Sequence, residues 1–359
     1  MNLESVINAP LQTRYGPLSG VKVVDVSALG PGPFASMMLA DFGAEVISIR
    51  RPGPVDVFDP SAGMIRGKSM REIDLKQADG VDQVTALAAG ADVFLESSRP
   101  GVMERLGLGP DVLHAVNPGL VYARLTGWGQ SGPYSQMAGH DLNYLAVSGA
   151  LGISGIDRPV APPALLGDIG NGSYLAAFGI VTALLDRQRT GRGQVVDIAI
   201  SDGAAFGLSG IFSEMRSGMF AGAIGTHVLS GNAPFYRTYR CADGKWFSVG
   251  AIESKFYAAF LGALGLSDVD PSPRAQWRIS DWPVLRDKLD AIFLSKSRDE
   301  WTALFEGVDA CTAPVLNLDE LTVDPHLKAR GTVQVESNGD LRSAPAPRFS
   351  AYPHLHAIA

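Results

Sequence analysis

The amino-acid sequence predicts an α/β protein, with a doubly wound parallel sheet in a large domain and a smaller α+β domain beyond it. Three observations carry this. Apolar strand-like runs alternate with helical stretches through the first 200 residues, the order of a parallel sheet covered by helices on both faces. The texture then changes at a Gly-rich segment, Gly222 to Gly231, which reads as a linker. Past it, two strand-like runs flank Ala242-Asp-Gly-Lys245, a hairpin turn with Asp-Gly at its centre. With 359 residues the chain is long enough to bury a substantial core and to divide in two.

Val21-Lys-Val-Val-Asp-Val26 is the first strand, an apolar run ending at a Gly/Pro turn. Pro33 suits the first turn of a helix, where a missing N–H costs nothing, and Gly43 stops that helix after Phe42. Val46-Ile-Ser-Ile49 is the second strand, completing a βαβ unit. Further strands are expected at Asp92 to Leu95, Leu120 to Leu125 and Val195 to Ile200, with helices between them. Tyr174 to Leu185 is the longest apolar run; it ends in Asp186-Arg187 and reads as a buried helix rather than a membrane span. A helical stretch from Ser201 to about Phe220 carries Met215 and Met219 four residues apart, the spacing of a core stripe, with an adaptable acyl pocket as the alternative. In the second domain Phe235 to Cys241 and Trp246 to Val249 are the hairpin strands, and helices are expected at Phe256 to Leu264 and Pro283 to Leu294. Ser297 followed by Glu300 is a capping-box spacing that opens another helix. The tail, with Pro345, Pro347 and Pro353, reads as extended.

Composition excludes several function classes. Apolar residues make up 46% and charged residues 19%, the balance of a folded enzyme and not of a disordered chain. A net charge of −7 argues against nucleic acid or an anionic membrane as partner, since both demand a basic face. The two cysteines, Cys241 and Cys311, are too few for a disulfide framework and lack zinc-site spacing, which fits a reducing cytoplasm. The first twenty residues lack the pattern of a signal peptide.

Four segments carry chemistry, each beside a plainer reading. Gly30-Pro-Gly-Pro-Phe-Ala35 lies between a strand and a helix like a dinucleotide fingerprint, but two prolines intrude and Arg50-Arg51 stand where a NAD site wants an acid. Guanidinium groups suit phosphate instead; solvated strand-end charges are the plain alternative. His140, in Gly139-His-Asp-Leu-Asn-Tyr144, falls near a helix start, where partners and the helix dipole set its charge; a satisfied structural histidine is the alternative. Asp168, in Leu166-Gly-Asp-Ile-Gly-Asn-Gly-Ser173, sits in a Gly-rich loop that lets backbone approach a ligand and offers N–H groups to a developing negative charge; an ordinary helix cap is the alternative. Glu253, in Val249-Gly-Ala-Ile-Glu-Ser254, lies at a strand-to-helix junction of the second domain, where capping is again the plain reading.

Together these segments resemble the α-methylacyl-CoA racemases of the class III CoA-transferase fold family. Also matching are Asp41-Phe-Gly-Ala44, Ile73-Asp-Leu-Lys76, Arg99-Pro-Gly-Val-Met-Glu104, Ala123 to Gly132, Arg189-Thr-Gly-Arg-Gly-Gln194 and Ala233-Pro-Phe-Tyr236, across roughly Gly16 to Pro347. Ile-Gly-Asn-Gly after Asp168 departs from the aromatic residue that several relatives carry there. By this resemblance His140 and Asp168 match the acid/base pair and Glu253 a glutamate that supports the histidine. Arg51, Ile73, Asp74, Leu75, Lys76, Arg99 and Arg105 match positions that hold CoA, and Gly139, Asp141 and Tyr144 flank the histidine at the substrate. The resemblance implies a Rossmann-like large domain over residues 1–200 completed by 330–359, a helical linker over 201–232, a small domain over 233–329, and an interlocked homodimer.

The implied chemistry needs no metal or organic cofactor, CoA being part of the acyl-CoA substrate. A thioester acidifies its α-carbon because the carbanion delocalises as an enolate, and racemisation needs an acid and a base on opposite faces. The rival on the same fold is a CoA transferase with Asp168 as nucleophile. A CoA-binding protein without catalysis is a rival of another class.

Overall fold

The computed structural model describes residues 15–28, 30–53, 63–218, 220 and 222–356, which form two compact units. Met219 lies outside the described residues, so its pairing with Met215 is not seen. The first unit contains residues up to 150, 162–209 and 331 onward; the second contains 151–161 and 210–330.

The first unit is built on a six-stranded, wholly parallel sheet. Its elements in chain order are β1 (Lys22–Asp25), α1 (Pro31–Asp41), β2 (Glu45–Arg50), β3 (Lys68–Glu72), α2 (Ala78–Ala89), β4 (Val93–Glu96), α3 (Val102–Arg105), α4 (Pro110–Val116), β5 (Val121–Thr126), α5 (Asp141–Ser148), α6 (Tyr174–Thr190), β6 (Val195–Ala199) and α7 (Ile200–Phe206). The strand order is β3-β2-β1-β4-β5-β6, so the chain winds outward in both directions from the β1/β4 boundary. That is the doubly wound order read from the alternating pattern.

Strand alternation explains the two cores, because successive side chains point to opposite faces. Val23, Val46, Val93, Leu95, Val121 and Ala123 face one way and pack with Ala35 and Leu39 of α1 and Ala176, Ile180 and Leu184 of α6. Val24, Phe94 and Tyr122 face the other way, against Val84 and Ala88 of α2 and Leu113 of α4. Each Val, Leu, Ile or Phe among them contributes on the order of 1.5–3 kcal/mol on burial, and truncating fully buried Phe94 to alanine costs about 3–5 kcal/mol.

β3 has no counterpart among the strands expected from the sequence. Lys68-Ser-Met-Arg-Glu72 is polar, yet Lys68 is buried. Its ammonium donates to the Pro33 carbonyl (2.7 Å) and Ser36 Oγ (2.6 Å) and lies 3.5 Å from Asp25 Oδ2. Burial pulls the Lys68 pKa down, against the neighbouring Asp25 charge. Asp25 in turn accepts from Ser36 and Ser48, so a buried charge pair with satisfied partners ties β1, β2 and β3 to the first turns of α1.

The segment from residue 331 returns to this unit as a hairpin, β10 (Val333–Val335) and β11 (Leu341–Ser343). Arg66 fastens it: its guanidinium forks onto Asp41 and also donates to the Ser343 carbonyl at 2.9 Å. Phe349 meets Phe42 edge-on at 5.3 Å.

The second unit holds α8 (Ser209–Ser217) from Gly210 onward, a three-stranded antiparallel sheet of β7 (Tyr236–Arg240), β8 (Trp246–Gly250) and β9 (Thr312–Pro314), and helices α9 (Ser254–Ala263), α10 (Pro273–Gln276), α11 (Trp282–Phe293), α12 (Arg298–Phe305) and α13 (Pro325–Arg330). Its core is aromatic: Phe293 stacks on Tyr239 at 4.6 Å and on Phe247 at 5.9 Å. Ser297 and Glu300 close the expected capping box at the start of α12. Met215 on α8 is 45% exposed, so the core-stripe reading of that position does not hold.

Candidate active site

The sheet directs the candidate residues of the first unit to one edge. Arg51 follows β2, Ile73 to Lys76 follow β3, Arg99 follows β4, and the loop to His140 follows β5. All leave carboxyl ends of parallel strands, where ligands bind in open α/β sheets. Arg51, Lys76, Arg99 and Arg105 on α3 are exposed. Ile73 is buried, its N–H bound to the Arg50 carbonyl at 3.0 Å, and Asp74 Oδ1 accepts from the Lys76 N–H at 3.0 Å, so Leu75 and Lys76 sit on a turn of fixed shape. Arg50 is engaged locally instead: it donates to the Gly53 carbonyl at 2.6 Å and lies 3.4 Å from Glu72.

His140 is the exposed N-cap residue of α5. Its N–H donates to Asn143 Oδ1 at 3.0 Å, and its carbonyl accepts from the Asn143 N–H at 2.8 Å. Tyr144, one turn on, donates its hydroxyl to the Gly139 carbonyl. Its ring crosses Trp128 edge-on at 4.8 Å, and burial, then the Asp168 charge, push its pKa up to about 12. Tyr144 is therefore a clamp on the loop that presents His140.

Asp168 is not in a loop. Leu165–Ser173 forms a π-helical segment that runs without a break into α6, and such segments favour functional positions because their wider turn reorients side chains. The merged helix, Leu165–Thr190, has 26 residues and is by length and composition long enough to cross a membrane, whereas the apolar run in the sequence is shorter. Ala176, Ile180 and Leu184 of this helix belong to the sheet core. The Asp168 N–H donates to Asp141 Oδ1 at 2.7 Å, and the Ile169 N–H to the Ala164 carbonyl at 3.0 Å. These two N–H groups of the Gly-rich segment are thus committed within the protein. The single Ser173 hydroxyl proton is shared between the carbonyls of Pro31 (2.8 Å) and Asp168 (3.1 Å), fastening the segment to α1.

Half-buried Asp168 has its pKa raised to about 6, first by burial and then by the Asp141 charge, with His140 acting in the opposite sense. A carboxyl at this value exchanges a proton readily near neutral pH. His140 and Asp168 lie in one unit, on elements joined by the Asp141 carboxylate, and the His140 charge opposes the rise of the Asp168 pKa. The Asp141 contact was not apparent from the sequence; no local signal links residues 27 positions apart.

Glu253 belongs to the second unit, as the exposed N-cap residue of α9 with no cap bond from its side chain. The backbone just before it is held from behind: the buried Gln276 amide donates to the carbonyls of Ala251 (3.1 Å) and Ile252 (2.8 Å).

Residues 18–357 match the model of CoA-transferase family III. The α-methylacyl-CoA racemase of Homo sapiens is 44% identical over 94% of this chain and 88% of its own length. Succinyl-CoA–D-citramalate CoA-transferase of Chloroflexus aurantiacus is 33% identical over 94% of this chain and 89% of its own. Among solved structures, a CaiB/BaiF family protein from Brucella suis superposes with a TM-score of 0.74 at 28% identity, covering 95% of this chain and 98% of the other.

Proposed function

The chain belongs to CoA-transferase family III, and on that premise we propose that it interconverts the (R) and (S) forms of 2-methylacyl-CoA thioesters by a 1,1-proton transfer. One residue takes the α-proton from one face, the thioester carbonyl carries the charge as an enolate, and the other residue returns a proton to the opposite face. Asp168 and His140 are the two carriers, and their roles exchange with the direction of reaction. α5 starts directly after His140, and a helix N-terminus favours negative charge developing nearby. CoA is held along the sheet edge by Arg51, Lys76, Arg99 and Arg105 with the Ile73 to Leu75 turn. It enters as part of the substrate, and the reaction calls for no further cofactor. Glu253 is assigned, by family membership, as the glutamate that supports the histidine.

The observation that carries this reading is the 44% identity to an α-methylacyl-CoA racemase over 94% of the chain, and the Asp168 carboxyl, raised by burial and pulled back by His140, suits a proton carrier. A carboxyl near 6 is a better proton carrier than an ordinary aspartate at neutral pH. A transferase, with Asp168 as nucleophile, gives the histidine no required task. Deuterium entry at the α-carbon in D2O, without any acceptor acid, is the experiment that separates the two.

A homodimer completes the proposal. Tyr174, Phe178, Val181 and Leu185 form a stripe at helical spacing on α6 and are 47%, 69%, 43% and 67% exposed, an apolar face that a second copy would cover. A cytoplasmic location fits the two free thiols, Cys241 and Cys311. The substrate is water-soluble CoA thioester, and no membrane anchor or nucleic acid enters the proposed reaction.

A further inference from the structure

We propose that Asp141 is the positioning residue of the proton-transfer pair: its carboxylate grips the main-chain N–H of Asp168 and so fixes the spacing of the two carriers. This rests on the two-base reading above. Three observations carry it. Asp141 is the first residue of α5, directly after His140, so its backbone moves with the histidine. Its Oδ1 accepts from the Asp168 N–H at 2.7 Å, a charge-assisted bond across 27 residues of sequence. Gly167 leaves the space for it, since a Cβ there would stand 2.4 Å from Asp141 Oδ1. The side chain that follows the histidine is therefore turned to the aspartate.

The charge of Asp141 acts on the same partner. Asp168 is pushed up by burial and then by Asp141, and His140 pulls it down. Tyr144, on the same helix, has its hydroxyl pKa pushed up first by burial and then by the Asp168 charge. The other packed elements add little charge: α1 and its cap bring Gly30 and Pro31, α7 brings Ile200 and Gly203, and the one acid on α7, Asp202, is exposed. Removing the Asp141 charge leaves burial opposed by His140 alone, so the Asp168 pKa must fall.

Two substitutions separate the grip from the charge. Asp141→Asn keeps an acceptor oxygen and loses the charge; Asp141→Ala loses both. We expect D141N to retain kcat within about tenfold while the acidic limb of its pH profile moves to lower pH. D141A should lose on the order of a hundredfold in kcat, the scale of an ångström-sized misplacement, with KM changed less. Carbon-13 NMR titration of the aspartate carboxyls, with Asp168 assigned through D168N, reads the charge effect without turnover. The Asp168 midpoint should lie near 6 in the unaltered protein and lower in D141N. A midpoint unmoved in D141N, or D141A with full kcat, overturns the proposal. Thermal unfolding shows whether D141A is folded; if it is not, the D141N titration decides alone. If the unaltered protein fails to exchange the α-proton but the D141N midpoint moves down, the racemase reading falls and what stands is the action of Asp141 on Asp168 alone.

Discussion

Gly127 lies directly beneath the ring of Tyr144: a Cβ built on it falls 2.0 Å from both Cε1 and Cζ of the tyrosine. Gly139, whose carbonyl takes the Tyr144 hydroxyl bond, is nearly as tight, with its Cβ position 2.7 Å from the same ring. The loop after β5 is thus shaped around one aromatic side chain, and that loop delivers His140. Gly127→Ala should displace Tyr144, release the Gly139 carbonyl and cost roughly 1–3 kcal/mol of stability, the usual range for overpacking. Urea unfolding with and without the substitution checks this, and an unchanged midpoint together with unchanged activity would remove Tyr144 as the clamp.

The raised Asp168 pKa fixes the sign of the pH dependence. The working pair holds one proton, on His140 or on Asp168, in either direction. Below about pH 6 Asp168 takes up a second proton, so kcat/KM should fall as pH drops through about 6. Both directions should share that limb, because both start from singly protonated pairs. The same shift acts on folding: the Asp168 carboxyl binds its proton more tightly in the folded chain, so its contribution is present below the ordinary aspartate range and lost as pH rises through about 6. An acidic limb near 4, where an unperturbed aspartate titrates, would contradict the shift.

The exposed cations at the carboxyl edge of the sheet make a separate test. Arg51→Ala, Lys76→Ala and Arg99→Ala should each raise KM more than they lower kcat, because contacts to the nucleotide end of CoA hold ground and transition states alike. Loss of one charge-assisted contact corresponds to roughly tenfold in KM. Steady-state kinetics with an acyl-CoA measures it, and an unchanged KM in all three variants removes the assignment.

The apolar stripe on α6 predicts the state of assembly. Light scattering at micromolar concentration should give twice the 37.9 kDa chain mass, and Phe178→Asp combined with Leu185→Asp should shift it toward one. A monomer in the unaltered protein contradicts the dimer.

Much of the sheet was legible because β1, β2 and β4 to β6 are apolar runs at parallel-sheet spacing. β3 was not, since Lys68 is tolerated in the interior only because Asp25, Ser36 and the Pro33 carbonyl meet it there, and those partners come from distant positions. β9 is three residues long and ends in Pro314, too short for a periodic signal. The segment around Asp168 misled for a physical reason: its glycines are poor helix formers, and tertiary bonds from Ser173 and Asp141 supply what propensity does not. His140 and Asp168 could be singled out by the residues around them. That Asp141 joins them is a property of the folded chain, visible only once α5 lies against the helix bearing Asp168.

The most direct test of the two-base account follows the α-proton. In D2O, with no carboxylic acid acceptor present, the protein should convert either epimer of a 2-methylacyl-CoA to the mixture while deuterium enters the α-position, read by NMR and mass spectrometry. His140→Ala and Asp168→Ala should each abolish epimerisation, and each should retain slow exchange only with the epimer whose α-proton faces the surviving base. If instead CoA passes to an added acid while the α-proton stays in place, and Asp168 is trapped by hydroxylamine during turnover, Asp168 is a nucleophile and the racemase account is wrong.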